Sequence, residues 1–215
     1  KYHTADKERR TCTCISQADP FTIDDIPDVD SSIYHLAGLI YGDFDGALIR
    51  ALSERGRVAV DVQALLRHAD PQTGSMFFED WKEKKEILPY IYYLKTDAAE
   101  AEILTGTSDR AEAARMLYSW GAREVVITHN TEVLAYAGGD IYTCPIKARN
   151  LSGRSGRGDT TFAAYITERS RADIPEALLW ATATVSNKME APGPYRGKRS
   201  DICLLYTSPS PRDRG

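Results

Sequence analysis

Three short apolar runs constrain the fold of this chain more than any other feature. They are Val58-Ala59-Val60-Asp61-Val62, Ile91-Tyr92-Tyr93-Leu94-Lys95 and Glu124-Val125-Val126-Ile127-Thr128. A strand with one wet face alternates apolar and polar residues; these runs do not, so both of their faces are covered. Helical patterns separate them. One carries Leu48, Ile49 and Leu52 inward, one runs from Asp80 to Leu88, and one lies around Ala98 to Leu104. Another opens on Asp109 and Glu112, spaced as a capping box, and runs to Trp120. Strand–helix alternation with doubly buried strands implies an α/β fold, an open, mostly parallel sheet with helices on both faces. The rhythm extends from residue 33 to residue 190.

Punctuation along the chain fits that frame. Ile33 to Ile40 is a mostly apolar run, and Gly106 stops its helix as a left-handed C-cap would. Val133 to Ala137 and Ile141 to Cys144 pair as a hairpin across Gly138-Gly139-Asp140. A glycine-rich stretch, Gly153 to Gly158, opens a helix through Arg169, and Asp173 caps a last helix through about Lys188. Arg9 to Ser16 lies outside the rhythm and reads as a strand of a small accessory sheet. Gln17 to Asp30, with two prolines and five aspartates, reads as a loop. The tail, residues 199–215, has two Ser-Pro steps and no periodicity, and reads as a disordered, non-native extension.

Charge narrows the function. Lys and Arg number 27 against 31 Asp and Glu, a net −4, which argues against nucleic acid or an anionic membrane as partner. No apolar run reaches the roughly 18 residues of a membrane span. Cys12, Cys14, Cys144 and Cys203 show no metal-ligand spacing and read as reduced thiols of a cytoplasmic protein.

The chemistry concentrates in Gly153-Arg154-Ser155-Gly156-Arg157-Gly158-Asp159-Thr160-Thr161. Glycines let the backbone turn with its amides facing one way, and the following helix adds the positive end of its dipole. Such a turn suits phosphate. Asp159, in the first turn, can take a proton from a hydroxyl attacking a phosphoryl group held by the amides. There is no Gly-Lys-Ser/Thr of a Walker loop, and the glycine spacing does not fit a dinucleotide turn. By itself a glycine-rich turn before a helix reads equally as structure or as site.

This stretch resembles the C-terminal signature of the PfkB, or ribokinase-like, carbohydrate kinases. Two more segments resemble the family's motifs in the right order: Lys95-Thr96-Asp97-Ala98-Ala99-Glu100 through Gly106, and Val125-Val126-Ile127-Thr128 with its hairpin. The resemblance covers about residues 30 to 195 and implies a ribokinase-like α/β fold. It implies Asp159 as catalytic base, and Gly156, Arg157 and Gly158 as the anion hole. It also implies Lys95, Thr128 and Asn130 on the nucleotide, Asn187 toward an adenine, and Asp97 and Glu100 acting on magnesium through water. For Glu100, an exposed helix charge is an equal reading on the residues alone.

The implied activity is transfer of a phosphoryl group from ATP to a hydroxyl of a small sugar, polyol or nucleoside, with Mg2+ and a monovalent cation as cofactors. Family members begin with a βαβ region that this chain lacks, so it is expected to be an inactive fragment. On this view residues 1–30 are the remnant of a β lid and its connecting loop, and 31–198 the kinase domain. The lid would pair subunits of the full-length protein as a homodimer. Val60 to Arg67 resembles the corresponding segment of inositol kinases. Three positions depart from the family pattern: Gly153 replaces an Asp, Asp97 an Asn, and Asn130 a Gly. They leave open a non-catalytic relative that only binds nucleotide. A nicotinamide dehydrogenase would need a Gly-x-Gly-x-x-Gly turn after an early strand, which the chain lacks.

Overall fold

The computed structural model describes residues 12–202. The chain divides inside one strand into two units, Lys1–Val125 and Val126–Gly215. In order, the first holds β1 (Ile33–Leu36), α1 (Gly46–Ser53), β2 (Arg57–Asp61), α2 (Gln63–Leu66), β3 (Arg67–Ala69) and β4 (Met76–Phe78). It continues with α3 (Lys84–Ile87), β5 (Tyr93–Asp97), α4 (Ala98–Thr105), α5 (Arg110–Ser119) and the start of β6 (Glu124–Thr128). β1, β2 and β5 are parallel neighbours, with Ile33 opposite Arg57, Ala59 opposite Tyr93 and Asp61 opposite Lys95. β6 begins beside β5, where the Glu124 amide donates to the Tyr92 carbonyl at 2.8 Å. Leu48, Ile49 and Leu52 of α1 are buried, as are Val58, Val60, Ile91 and Leu94 from the strand region.

A second, two-stranded sheet, β3 antiparallel to β4, stands apart from the parallel strands. Thr13 makes an antiparallel bridge to Ser75 beside it, and the Cys14 amide donates to the Gly74 carbonyl at 2.8 Å. The described part of the early Thr/Cys segment therefore adds to the small sheet. Residues 9–11 of that segment lie outside the described residues, as do 203–215 of the tail; residues 199–202, expected to be disordered, instead form a helical turn in which Arg199 pairs with Glu168 and Ile202 is buried.

Local chemistry explains most element ends. Gly106, at φ 80°, caps α4 in the left-handed region. Asp109 caps α5 by accepting from the Ala111 and Glu112 amides. Glu112 does not complete a capping box as the spacing suggested; its carboxylate accepts from the Thr107 hydroxyl at 3.1 Å. The helix expected over Asp80 to Leu88 shrinks to α3 and a 3-10 turn, Leu88–Tyr90. Pro89 has no amide to continue the ladder. Part of the expected loop, Ile23–Asp25, is also a 3-10 turn, held by Thr22 and Asp25.

The second unit holds the rest of β6, then β7 (Glu132–Ala137), β8 (Asp140–Pro145), α6 (Arg157–Arg169) and α7 (Ile174–Lys188). β7 and β8 form the expected hairpin, in register from Glu132 with Pro145 to Ala137 with Asp140. Its turn residues, Gly138 and Gly139, have φ of 62° and 100°, which a two-residue hairpin turn favours. α6 packs on α7, and α7 on β7 and β8. Val133, Leu134, Phe162, Tyr165, Leu178 and Val185 form the buried centre. Parallel strands alternating with helices in the first unit, and strands followed by two helices in the second, make the expected α/β architecture.

Candidate active site

The first unit carries a buried charge cluster where β2 and β5 end. Asp61 closes β2 and sits opposite Lys95 on β5, so the pair is set by strand register. The Lys95 ammonium reaches both Asp61 oxygens, at 2.9 and 3.1 Å, and lies 3.9 Å from Glu100. Asp61, Lys95 and Glu100 are each less than 5% exposed. Burial alone would lower the Lys95 pKa, but Glu100, Asp61 and Asp97 outweigh it and hold the ammonium charged. Burial pushes Glu100 up to about 7, against the pull of Lys95 and with the help of Asp97 and Asp61.

Asp97 and Glu100 also form a reciprocal capping box at the start of α4. The Glu100 amide donates to Asp97 and the Asp97 amide to Glu100, both at 2.8 Å. Glu100 is therefore no exposed helix charge. Lys95, expected on a nucleotide, has its ammonium bound to Asp61 inside the sheet.

The second unit carries the glycine turn. Gly156 is the N-cap of α6 at φ 78°, ψ 16°, a conformation that disfavours side chains. The Thr160 amide is the first to donate to the new helix, to the Gly156 carbonyl at 3.0 Å. The Gly156, Gly158 and Asp159 amides precede that bond, as the opening donors of any helix do. The Arg157 amide is engaged already: it closes a turn onto the Arg154 carbonyl at 3.2 Å. Asp159 is exposed, and its carboxylate lies 3.7 Å from where a Gly156 β-carbon would stand.

Two guanidinium groups flank this turn. Arg154 donates to the Asn130 side-chain oxygen at 2.9 Å, and Arg157 donates to the same atom. Asn130 follows Thr128, which ends β6 and is buried. Asn187 is half-buried on α7 and helps line a cavity of about 410 Å³ with Pro192 and Tyr195.

Sequence reasoning missed what holds the turn in place. Residues 146–153 have no regular structure, yet they are laced to the end of α7. The Lys147 amide donates to the Ser186 hydroxyl at 2.9 Å. The Arg149 amide and guanidinium both donate to the Glu190 carboxylate. The Ser152 hydroxyl donates to the Glu190 carbonyl at 2.7 Å, and the Gly153 amide to the Met189 carbonyl at 2.7 Å. Lys188 donates to the Gly153 carbonyl. A lysine and a glutamate at the end of a small-residue helix were the only signal in the sequence.

Residues 2–199 match the family model of the pfkB family carbohydrate kinases. A cytidine kinase of Thermococcus kodakarensis is 33% identical over 90 residues, which are 40% of this chain and 32% of that protein. The chain thus spans about a third of the length of that curated relative. A pyrophosphate-dependent kinase of the ribokinase family, solved as a sulfate complex, is 34% identical with a TM-score of 0.84. That match covers 93% of this chain and 70% of the other. Such a kinase has also been solved with a pyrophosphate analog and myo-inositol, again 34% identical, TM-score 0.84, covering 91% and 70%. Ribokinase of Arabidopsis thaliana shares the fold at 19% identity, TM-score 0.69, covering 89% and 61%.

Proposed function

The chain belongs to the pfkB family of carbohydrate kinases, and from that membership we propose that the whole protein transfers a phosphoryl group from pyrophosphate to a hydroxyl of a small polyol. The observation that carries the reading is the left-handed glycine cap of α6 with Asp159 in its first turn. In this reading Asp159 accepts the proton of the attacking hydroxyl as the new O–P bond forms. The anhydride P–O bond breaks and orthophosphate leaves. The amides of Gly156, Gly158 and Asp159 bear on the charge of the transferring group.

Arg154 and Arg157 favour pyrophosphate as donor. Their convergence on one neutral amide oxygen brings two positive charges to one place, and guanidinium forks match the oxygens of a dense phosphate anion. Relatives at 34% identity are pyrophosphate-dependent kinases. One of them is described with myo-inositol, which, with the likeness of Val60 to Arg67 to inositol kinases, supports a cyclic polyol as acceptor.

ATP is the second reading, favoured by the cavity beside Asn187, where a base would find room. Magnesium is the metal this reaction class implies. Among the described residues no three His, Cys, Asp or Glu converge into a cage. Asp97 and Glu100 would accordingly hold it through water, as magnesium often permits; when bound, it neutralises donor phosphates.

A cytoplasmic location is part of the proposal and rests on the kinase family alone; no described helix is long and apolar enough to cross a membrane. The small β3–β4 sheet, with Phe77 and Phe78 exposed, is the face through which two copies would pair. The test is steady-state kinetics of the full-length protein with pyrophosphate or ATP as donor and myo-inositol, ribose or cytidine as acceptor. Turnover with pyrophosphate and myo-inositol is the expected result. Turnover with ATP alone would reverse the choice of donor, and none with any pair would refute the kinase.

A further inference from the structure

At the base of the glycine turn several backbone carbonyls crowd around Gly153, whose own carbonyl accepts from a buried cation. α7 ends at Lys188, so the last carbonyls of that helix present the negative end of its dipole there. Around Gly153 those carbonyls come close. A β-carbon at 153 would stand 1.8 Å from the Ala191 oxygen and 2.8 Å from the Lys188 oxygen. The Met189 carbonyl accepts from the Gly153 amide, and the Gly153 carbonyl accepts from the Lys188 ammonium. Lys188 is only 3% exposed. Its chain passes beneath the turn, with Cε 3.8 Å from where a Gly156 β-carbon would stand, a point that the Asp159 carboxylate also approaches.

We infer that the Lys188 ammonium serves as the built-in monovalent cation of the phosphate turn, so that the protein has no use for a potassium or ammonium ion as activator. Chemically the two are interchangeable at such a place. Each is a compact single charge that takes backbone carbonyls as partners and offsets the field of a helix C-terminus. A free cation needs oxygen donors and room. Here the position that opens the signature is a glycine, which offers no side-chain oxygen to a cation. The close approach of the Ala191 oxygen leaves no space for a larger residue at 153. The residues present do not fit the free ion that the family resemblance led us to expect. Lys188 is a positioning residue in this account: it fixes the Gly153 carbonyl, and through it the approach to the Gly156 cap.

The experiment compares potassium, ammonium and N-methylglucamine chloride at equal ionic strength, on full-length wild type, Lys188→Arg and Lys188→Ala. Thermal unfolding is read first, because it does not depend on the kinase reading; turnover is read second and rests on that reading. Wild type should unfold at the same temperature, and turn over at the same rate to within about twofold, in all three salts, since its cation is covalently tethered. Lys188→Ala should unfold several degrees lower in N-methylglucamine, and potassium or ammonium should recover most of the loss. Lys188→Arg should keep most of the stability without added cation. A specific rise of the wild-type unfolding temperature or rate in potassium would overturn the inference. So would a Lys188→Ala protein that folds and responds to no cation. If Lys188→Ala does not fold, the wild-type comparison decides alone. Failure of wild type to turn over any donor refutes the kinase reading and leaves the unfolding result standing.

Discussion

Gly153→Ala is the sharpest test of how the glycine turn is held. The added β-carbon would lie 1.8 Å from the Ala191 oxygen, 2.4 Å from its carbon and 2.8 Å from the Lys188 oxygen. All three are backbone atoms, so no side chain can rotate away. Ordinary contact requires an opening of about 1.5 Å. Two routes exist. The protein can tolerate the overlap, at about 1–3 kcal/mol as for other overpacked sites. Alternatively the 153 segment can lift off, which breaks the Gly153–Met189 and Lys188–Gly153 hydrogen bonds. Those are worth about 1 kcal/mol for the neutral bond and about 1.5–3 kcal/mol for the charged one. Whichever route costs less sets the outcome, about 1–3 kcal/mol, or about 2–12 °C in unfolding midpoint for a chain of this size.

Gly156→Ala is the control. It has room, the nearest atom being 3.7 Å away, but sits at φ 78°, so it should cost only about 1–2 kcal/mol. Scanning calorimetry on both variants separates lack of space from backbone conformation. A Gly153→Ala protein within about 0.5 kcal/mol of wild type, the usual scatter of a surface change, would refute the stitched turn.

Other expectations follow from the same geometry. Asp159→Asn should keep the fold and most donor affinity while lowering kcat by about 10²–10⁴-fold, as loss of a positioned base does; unchanged kcat would make Asp159 a helix-terminal charge and nothing more. Lys95→Met leaves Asp61 and Glu100 buried without their shared cation and should destabilise the protein by about 3–5 kcal/mol; urea titration showing under a third of that would mean water already screens the cluster. Glu168 is held down to about 2 because hydrogen bonds from Arg171 and Arg199 outweigh its burial. A depressed carboxyl stabilises above its ordinary pKa of 4.5 and loses that contribution as pH falls toward 2. After allowance for the half-exposed arginines, the loss should be about 1 kcal/mol between those limits. Glu168→Gln should flatten that part of the stability–pH curve, and an unaltered slope there would count against the ion pairs.

Legibility in the sequence followed the range of each interaction. The parallel strands could be read because burial on both faces leaves an unbroken apolar run, and Val58 to Asp61 and Glu124 to Thr128 are such runs. Gly106 and Asp173 could be read because caps act within four residues. The β3–β4 pair could not, since three-residue strands carry too little pattern; its signal was Asp70, whose carboxylate accepts from the Gln72 and Thr73 amides and the Thr73 hydroxyl. Asp159 and Gly156 stood out by motif, whereas the contacts of Lys188 and Glu190 did not. Their partners, Gly153 and Arg149, lie 35 and 41 residues away, and nothing local to either residue announces the contact.

The three departures from the family pattern now have separate physical accounts, and these bear on whether the site is degenerate. Asp97 in place of Asn still caps α4, and a carboxylate accepts from the Glu100 amide as well as an amide oxygen would. Its extra charge falls in a cluster that already holds Lys95. Asn130 in place of Gly supplies the oxygen on which Arg154 and Arg157 meet, a contact no glycine could make. Gly153 in place of Asp admits the Ala191 carbonyl at a distance that any β-carbon would forbid, and Lys188 supplies the charge there. A site drifting out of use would lose partners one at a time and leave buried polar groups unpaired. Here each changed residue sits in a contact that its new chemistry makes or permits. That pattern supports the proposed pyrophosphate kinase over a relative that has lost its catalysis.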